Sequence, residues 1–345
     1  MRRLYEPRHI PASHRLSAWL LSALFALSLC VQQAWAAPAE RTVIPLGQAV
    51  GIKLFADGVL VVALADGPTP ARACGLRQGD IITAMDGAAV GSTEQVQDLL
   101  ANTAGAPIVL SVRRGADALA LTACARENNG VWQLGAWIRD SMAGIGTLTY
   151  YDPATGQYGA LGHGITDVDT AQLMPLASGA IMETTVKAVK KGAKGDPGEL
   201  KGDFDLTRDS GTLYANTECG IFGKLSAEDA AKITGAALPI AKKDEVKTGK
   251  ATILATVSGN ETREYDIEIE KIYSPSGSTR NLLLRVTDKE LLAQTGGVVQ
   301  GMSGSAILQD GKIIGAITHV LLDDPSRGYG IFIENMLSAA GLSSE

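Results

Sequence analysis

The sequence predicts a mainly β chain with some α, folded as two domains behind an N-terminal targeting segment. Three observations carry this. Apolar runs of strand length recur from Val59 onward, and the chain holds 39 glycines against only 5% aromatic residues. Short strands joined by tight turns need that balance. The 46% hydrophobic content is enough for real cores, and 345 residues suits about two domains. The formal net charge is -6. Four arginines and one glutamate in the first 36 residues make the remainder more acidic still. An acidic body argues against nucleic acid as the main partner.

The first element, residues 1–37, reads as a signal peptide or an N-terminal membrane anchor. A basic start ending at Arg15 leads into the apolar run Leu16 to Val31, then Ala34-Trp35-Ala36-Ala37, a small-residue pattern suited to signal peptidase. The basic flank stays cytoplasmic, so the chain beyond Ala37 is expected to be exported. Sixteen residues is short for a span, which needs roughly 17–25, so cleavage and retention both stay open.

The next element, residues 41–125, begins with the apolar strand Val59 to Leu64. Gly75-Leu76, Gly79-Asp80-Ile81-Ile82 and the turn Asp86-Gly87 come after it. Ser92 with Gln95 three residues later has capping-box spacing, and Val96, Leu99 and Leu100 give the helix behind it one apolar face. Ile108 to Val112 alternates as a strand. These residues resemble a PDZ domain of the bacterial protease-associated type. Such domains bind an extended peptide as an added strand between a sheet edge and a helix. Val50-Gly51-Ile52 is the candidate loop for a peptide's terminal carboxylate.

The last element, residues 126–345, reads as mostly β. Ala251 to Val257 and Glu264 to Ile272 are strands around the turn signal Gly259-Asn260. Leu282 to Val286 is a strand, Asp288 to Ala293 a short helical turn with Asp288 near its N-cap, and Ile333 to Ala340 a helix stopped by Gly341. Outside the targeting segment Cys74, Cys124 and Cys219 show no metal-like spacing. Cys74 and Cys124 both fall in the first domain and could pair, but free cysteines are the expectation.

The most telling stretch is Gly301-Met302-Ser303-Gly304-Ser305-Ala306-Ile307, between strand-like runs. A serine flanked by glycines presents a hydroxyl that both a base and a carbonyl can approach. The same glycines free backbone N–H groups, those of Gly301 and Ser303, for an oxyanion. Ser305 is a rival nucleophile, and a plain hairpin turn is the bland reading. With His9 and His14 in the targeting segment, a histidine base is His163 or His319. His163 lies between two glycines, open on both sides, and is favoured; His319 ends an apolar strand, where structural histidines are common. Asp288 and Asp167 both qualify by spacing to orient the ring. No His-Glu-x-x-His occurs, so neither a metal nor another cofactor is expected.

With these motifs in place, the chain resembles the SpoIVB peptidase family. The resemblance rests on the N-terminal segment, the PDZ-like region, Gly162-His163-Gly164, the block Val299 to Ile307, the run Gly311 to Val320, Asp324-Pro325 and Gly328-Tyr329-Gly330. Ala306 stands where the family pattern has proline. The resemblance implies a chymotrypsin-like double β-barrel peptidase domain after the PDZ domain. It implies a triad of His163 as base, Asp288 as orienting acid and Ser303 as nucleophile, with Gly301 and Ser303 as the oxyanion hole. It further implies a sporulation signalling endopeptidase, exported across the forespore membrane into the intermembrane space. That enzyme cleaves itself and the extracytoplasmic part of a SpoIVFA-like membrane protein, which triggers sigma-factor processing. The competing reading is a non-catalytic exported PDZ adaptor with a degenerate hydrolase domain.

Overall fold

The computed structural model describes residues 41–273 and 279–342. The targeting segment lies outside them. The described chain opens with strands β1 (Thr42–Pro45) and β2 (Ala49–Leu64). Then come helix α1 (Pro70–Ala73), β3 (Ile81–Met85), β4 (Ala88–Ala89), helix α2 (Thr93–Thr103), β5 (Pro107–Arg114) and β6 (Asp117–Cys124). A small hairpin, β7 (Arg126–Asn128) and β8 (Val131–Gln133), leads into the long strand β9 (Ala136–Asp152).

Local chemistry sets these elements. Asp86 and Gly87 both take positive φ, the two-residue turn that suits strand twist and joins β3 to β4. Ser92 caps α2 by accepting from the Gln95 N–H (3.2 Å), while the Gln95 side chain accepts from Gly91 N–H (2.8 Å). Val96 and Leu100 are buried on the inner face. Asp80 is buried and takes two 2.7 Å bonds from Arg114, which compensates a charge that burial would otherwise disfavour.

The chain continues through β10 (Gln157–Ala160), β11 (Leu176–Lys190), β12 (Glu199–Phe204), β13 (Gly211–Thr217), β14 (Gly220–Leu225), helix α3 (Ala227–Lys232) and β15 (Leu238–Pro239). The first half of β2 pairs with both β9 and β11. The remaining contacts run β9–β10, β10–β14, β14–β13 and β13–β11. These six strands therefore close on themselves as a barrel. Val50, Ile52, Leu148, Tyr158 and Ile181 belong to one buried cluster within it.

A second closed barrel is built from β16 (Gly249–Ala255), β17 (Arg263–Ile272), β18 (Leu282–Val286), β19 (Ala306–Gln309), β20 (Lys312–Val320) and β21 (Arg327–Phe332). Helix α4 (Lys289–Thr295) lies between β18 and β19, and helix α5 (Ile333–Ala339) comes after β21. The expected double β-barrel is therefore present, with Ile253, Ile267, Leu284, Ile307 and Ile317 in the core of the second barrel.

The strand pairing redraws the expected boundaries of 41–125 and 126–345. Residues 42–56 pair into the first barrel, and the PDZ-like module is let into that barrel between Asp57 and Met142. Its own core holds Val59, Val61, Ile82, Met85 and Leu110. Strands β2 and β9 run through both modules. In the PDZ half, β2 pairs with β3 on one side and with Ala136–Arg139 of β9 on the other. Helix α2 is tied to that same stretch, since the Thr93 N–H donates to Asp140 (2.7 Å). The chain's own β9 thus occupies the sheet edge beside α2 where an added peptide strand would lie.

Val50-Gly51-Ile52 is corrected by the same pairing. It is no carboxylate loop. All three residues are buried in the first barrel and paired with β9 and β11 on their two edges. A Cβ on Gly51 would meet the Phe204 ring at 2.4 Å. With both backbone edges taken, these residues cannot receive a peptide end.

Candidate active site

A cleft of about 760 Å³ is lined from both barrels, and His163, Gly301, Ser303 and His319 all border it. His163 is delivered from the first barrel. The chain leaves β10 through Leu161 and Gly162, both at positive φ (68° and 69°). The Gly162 N–H closes a tight turn on the Ala160 carbonyl (2.8 Å). A left-handed leucine is costly and persists only where its surroundings hold it; Leu161 is buried in the first barrel's core.

The His163 Nδ1 contacts the Gly164 carbonyl at 2.8 Å. A carbonyl only accepts, so the neutral ring carries its proton on Nδ1 and leaves Nε2 free to accept one. Burial pushes the His163 pKa below the usual imidazole range, with the Gly164 bond opposing the shift. The ring is therefore held in its base form.

Ser303 comes from the loop before β19 in the second barrel. Gly301 and Gly304 flank it at φ 97° and 101°. Gly304 is doubly constrained, since a Cβ there would sit 1.9 Å from the Thr147 carbonyl oxygen. Thr147 of β9 clamps the loop: its N–H donates to the Ser303 carbonyl (3.0 Å) and its Oγ1 to the Gly301 carbonyl (2.7 Å). Among the described residues the Gly301 and Ser303 N–H groups have no hydrogen-bond partner. Two free amides flanking a serine form the donor pair that oxyanion stabilisation needs. The Ser303 hydroxyl itself donates to the Thr318 carbonyl (2.7 Å). Ser305, the rival serine, is fully buried and does not line the cleft.

Asp288, the triad acid implied by the family pattern, is corrected by its own contacts. Its carboxylate accepts from the Leu291 N–H (2.8 Å) as the N-cap of α4, and it does not line the cleft. Asp167 is fully buried, and its Oδ1 accepts from the Asp169 and Thr170 N–H groups (3.0 and 2.9 Å) and from the Thr170 hydroxyl (3.0 Å). Its Oδ2 pairs with Arg139. Neither carboxylate is the partner of the imidazole; the Gly164 carbonyl is.

His319 is the site residue that sequence reasoning undervalued. It sits at a bulge in β20 and β21 pairing, which brings its ring 4.9 Å from that of His163, centroid to centroid, at a 35° tilt. Its Nδ1 is buried and has no partner among the described residues. Burial first, then the neighbouring His163 and Arg280, push its pKa down to about 4. The two rings are tilted, neutral neighbours.

A family model described as SpoIVB peptidase S55 matches residues 130–337, well over half of the chain, and a PDZ-domain model matches residues 62–114. No curated protein matches the chain. Among solved structures, the PDZ domain of the SdrC-like protein Lmo2051 from Listeria monocytogenes is 25% identical, covering 24% of this chain and 87% of its own, with a TM-score of 0.22. The active form of the Rv3671c protease from M. tuberculosis is 14% identical, covering 58% of this chain and 73% of its own, at TM-score 0.31. The HtrA-type protease AlgW with decapeptide is 12% identical, covering 62% and 54%, also at 0.31. With a PDZ module let into a double β-barrel, the chain belongs to the SpoIVB peptidase family and is a serine endopeptidase acting on protein substrates.

Proposed function

We propose that the endopeptidase chemistry runs through Ser303 and His163. The observation that carries this is their shared cleft, with one residue supplied by each barrel and two free amides beside the serine. On substrate binding the Ser303 hydroxyl turns from the Thr318 carbonyl toward His163. Nε2 takes its proton as the oxygen attacks the peptide carbonyl. The Gly301 and Ser303 N–H groups receive the oxyanion. The imidazolium keeps its Nδ1–H on the Gly164 carbonyl and then gives its new proton to the leaving amine. Water releases the acyl group by the reverse path.

At the level of the cell, we propose a sporulation signalling role. The enzyme is exported across the forespore membrane, held or released by residues 1–37, and cleaves itself. It then cuts the extracytoplasmic part of a SpoIVFA-like membrane protein, and so triggers sigma-factor processing. The targeting pattern, the PDZ module and family membership support this reading together. The test tracks processing of the full chain and of a co-expressed SpoIVFA-like protein. Ser303→Ala is expected to abolish both; unchanged processing would refute the assignment.

One observation favours the adaptor reading: the Ser303 hydroxyl is bonded to Thr318 rather than to a base. A fluorophosphonate probe decides. Labelling at Ser303 excludes a degenerate hydrolase, and absence of labelling in folded protein excludes the peptidase.

A further inference from the structure

We propose that the Arg139–Asp167 ion pair positions His163, acting from the strand lodged beside the PDZ helix. This rests on the assignment of His163 as the base. Asp167 lies four residues after His163 and is entirely buried. Its Oδ1 closes the turn at residues 167–170. The loop around it is a closed hairpin. The Asp167 N–H donates to the Gln172 carbonyl (2.9 Å), Met174 N–H donates to Ile165 (2.9 Å), and the Asn216 side chain bonds Ile165 through both N–H and C=O.

The cation for this buried carboxylate comes from outside the loop. Arg139 pairs with Asp167 through one guanidinium nitrogen and with Asp169 through the other (3.0 Å). It stands on β9 opposite Leu60 of the PDZ sheet, one residue before the Asp140 that accepts from α2. The PDZ module touches the same loop again through the Gln78 side chain, which donates to the Asp169 carbonyl (2.9 Å).

The placement of the imidazole makes this pair matter. Its Nδ1 partner, Gly164, belongs to this loop, so any shift of the loop moves both the ring and the group that fixes its tautomer. A buried carboxylate that loses its cation is strongly unfavourable. Opening the loop to admit water relieves that penalty and displaces the base. Arg139 and Asp167 are therefore positioning residues. They touch no reacting atom, and they make the alignment of the base depend on the PDZ half of β9.

The test measures fluorophosphonate labelling of the full chain, separating the rate constant at saturating probe from the half-saturation concentration. Arg139→Gln and Asp167→Asn are each expected to slow the saturated rate more than tenfold, with half-saturation unchanged. Arg139→Lys gives up the second contact to Asp169 but keeps a cation beside Asp167, and it should recover the rate to within about threefold of the natural chain. Asp167→Asn must turn its NH2, which cannot accept, toward either the Arg139 guanidinium or the Asp169 and Thr170 donors, so it breaks the pair or the turn without leaving a buried charge, and it covers the case in which Arg139→Gln does not fold. Equal rates for the Lys and Gln variants, or a folded Asp167→Asn chain labelled at the natural rate, would overturn the positioning role alone. A natural chain that the probe does not label would overturn the peptidase assignment and this inference with it.

Discussion

The two barrels reach the same closed form by different routes. The second is drawn from one stretch, Gly249 to Phe332, and each of its strands lies within a few dozen residues of a partner. The first gathers strands from Ala49 to Leu225, and its closing pair, β2 with β9, is separated by the whole PDZ module. Contacts between distant segments carry a larger loop-closure cost and leave a weaker local signature. The nucleophile sits on the locally built barrel and the base on the dispersed one. Each loop is shaped by its own glycines and also held by β9, from 154 positions away for the serine loop (Thr147 to Gly301) and from 28 for the loop after the base (Arg139 to Asp167). Strand β9 joins the two, since Thr147 clamps the serine loop and Arg139 clamps the histidine loop.

The contrast breaks most sharply at Gly304. An alanine there must hold φ near 101° with its Cβ against the Thr147 carbonyl. Gly304→Ala is expected to abolish probe labelling and to destabilise the fold by about 3 kcal/mol, from backbone strain and overpacking together. Urea denaturation checks the second part; a variant as stable as the natural chain would show that the approach of β9 is not limiting. Thr147→Val is milder. It removes the bond to the Gly301 carbonyl while keeping the shape. The expected loss is about 1 kcal/mol, with roughly tenfold slower labelling as the Gly301 amide loses its aim. An unchanged rate would separate the clamp from the oxyanion site.

Legibility in the sequence follows whether a residue's role is set by local or by distant contacts, not which barrel carries it. Gly301-Met302-Ser303-Gly304 could be read locally because positive φ at both glycines is a local demand. Gly162-His163 was legible for a similar reason. Val50-Gly51-Ile52 was not, because an apolar–glycine–apolar triplet fits a strand as well as a loop. Its partners lie far off in β9 and β11. Asp288 carried two readings at once, N-cap and triad acid, and only its contact with the Leu291 N–H separates them. His319 looked like a strand-end histidine, and the bulge that turns it into the cleft has no sequence signature.

Asp288 gives a finer cut between the two readings. Asparagine caps helices about as well as aspartate, whereas alanine loses about 1 kcal/mol. Asp288→Asn should therefore keep both stability and labelling, and Asp288→Ala should lose about that much stability. A carboxylate acting on His163 would instead leave the Asn variant as inactive as the Ala variant.

The last expected effect is a pH dependence centred on the paired histidines. His319 has a folded pKa pushed to about 4, below the ordinary imidazole value of 6.5. Between those values the unfolded chain binds more protons than the folded one, so the folded state is favoured less as pH falls. The contribution is intact above about 6.5 and is lost on acidification toward about 4. His163 is displaced in the same direction, so its base form, and with it labelling, should persist below pH 6.5. His163 and Arg280 bear on the His319 ring, and Asp323 also lines the cleft. His319→Gln removes one of the two titrations. It should flatten the fall in melting temperature between pH 6.5 and 4 without erasing it, because His163 still titrates in the first barrel; an unaltered slope would mean that the second ring is not held neutral by the fold.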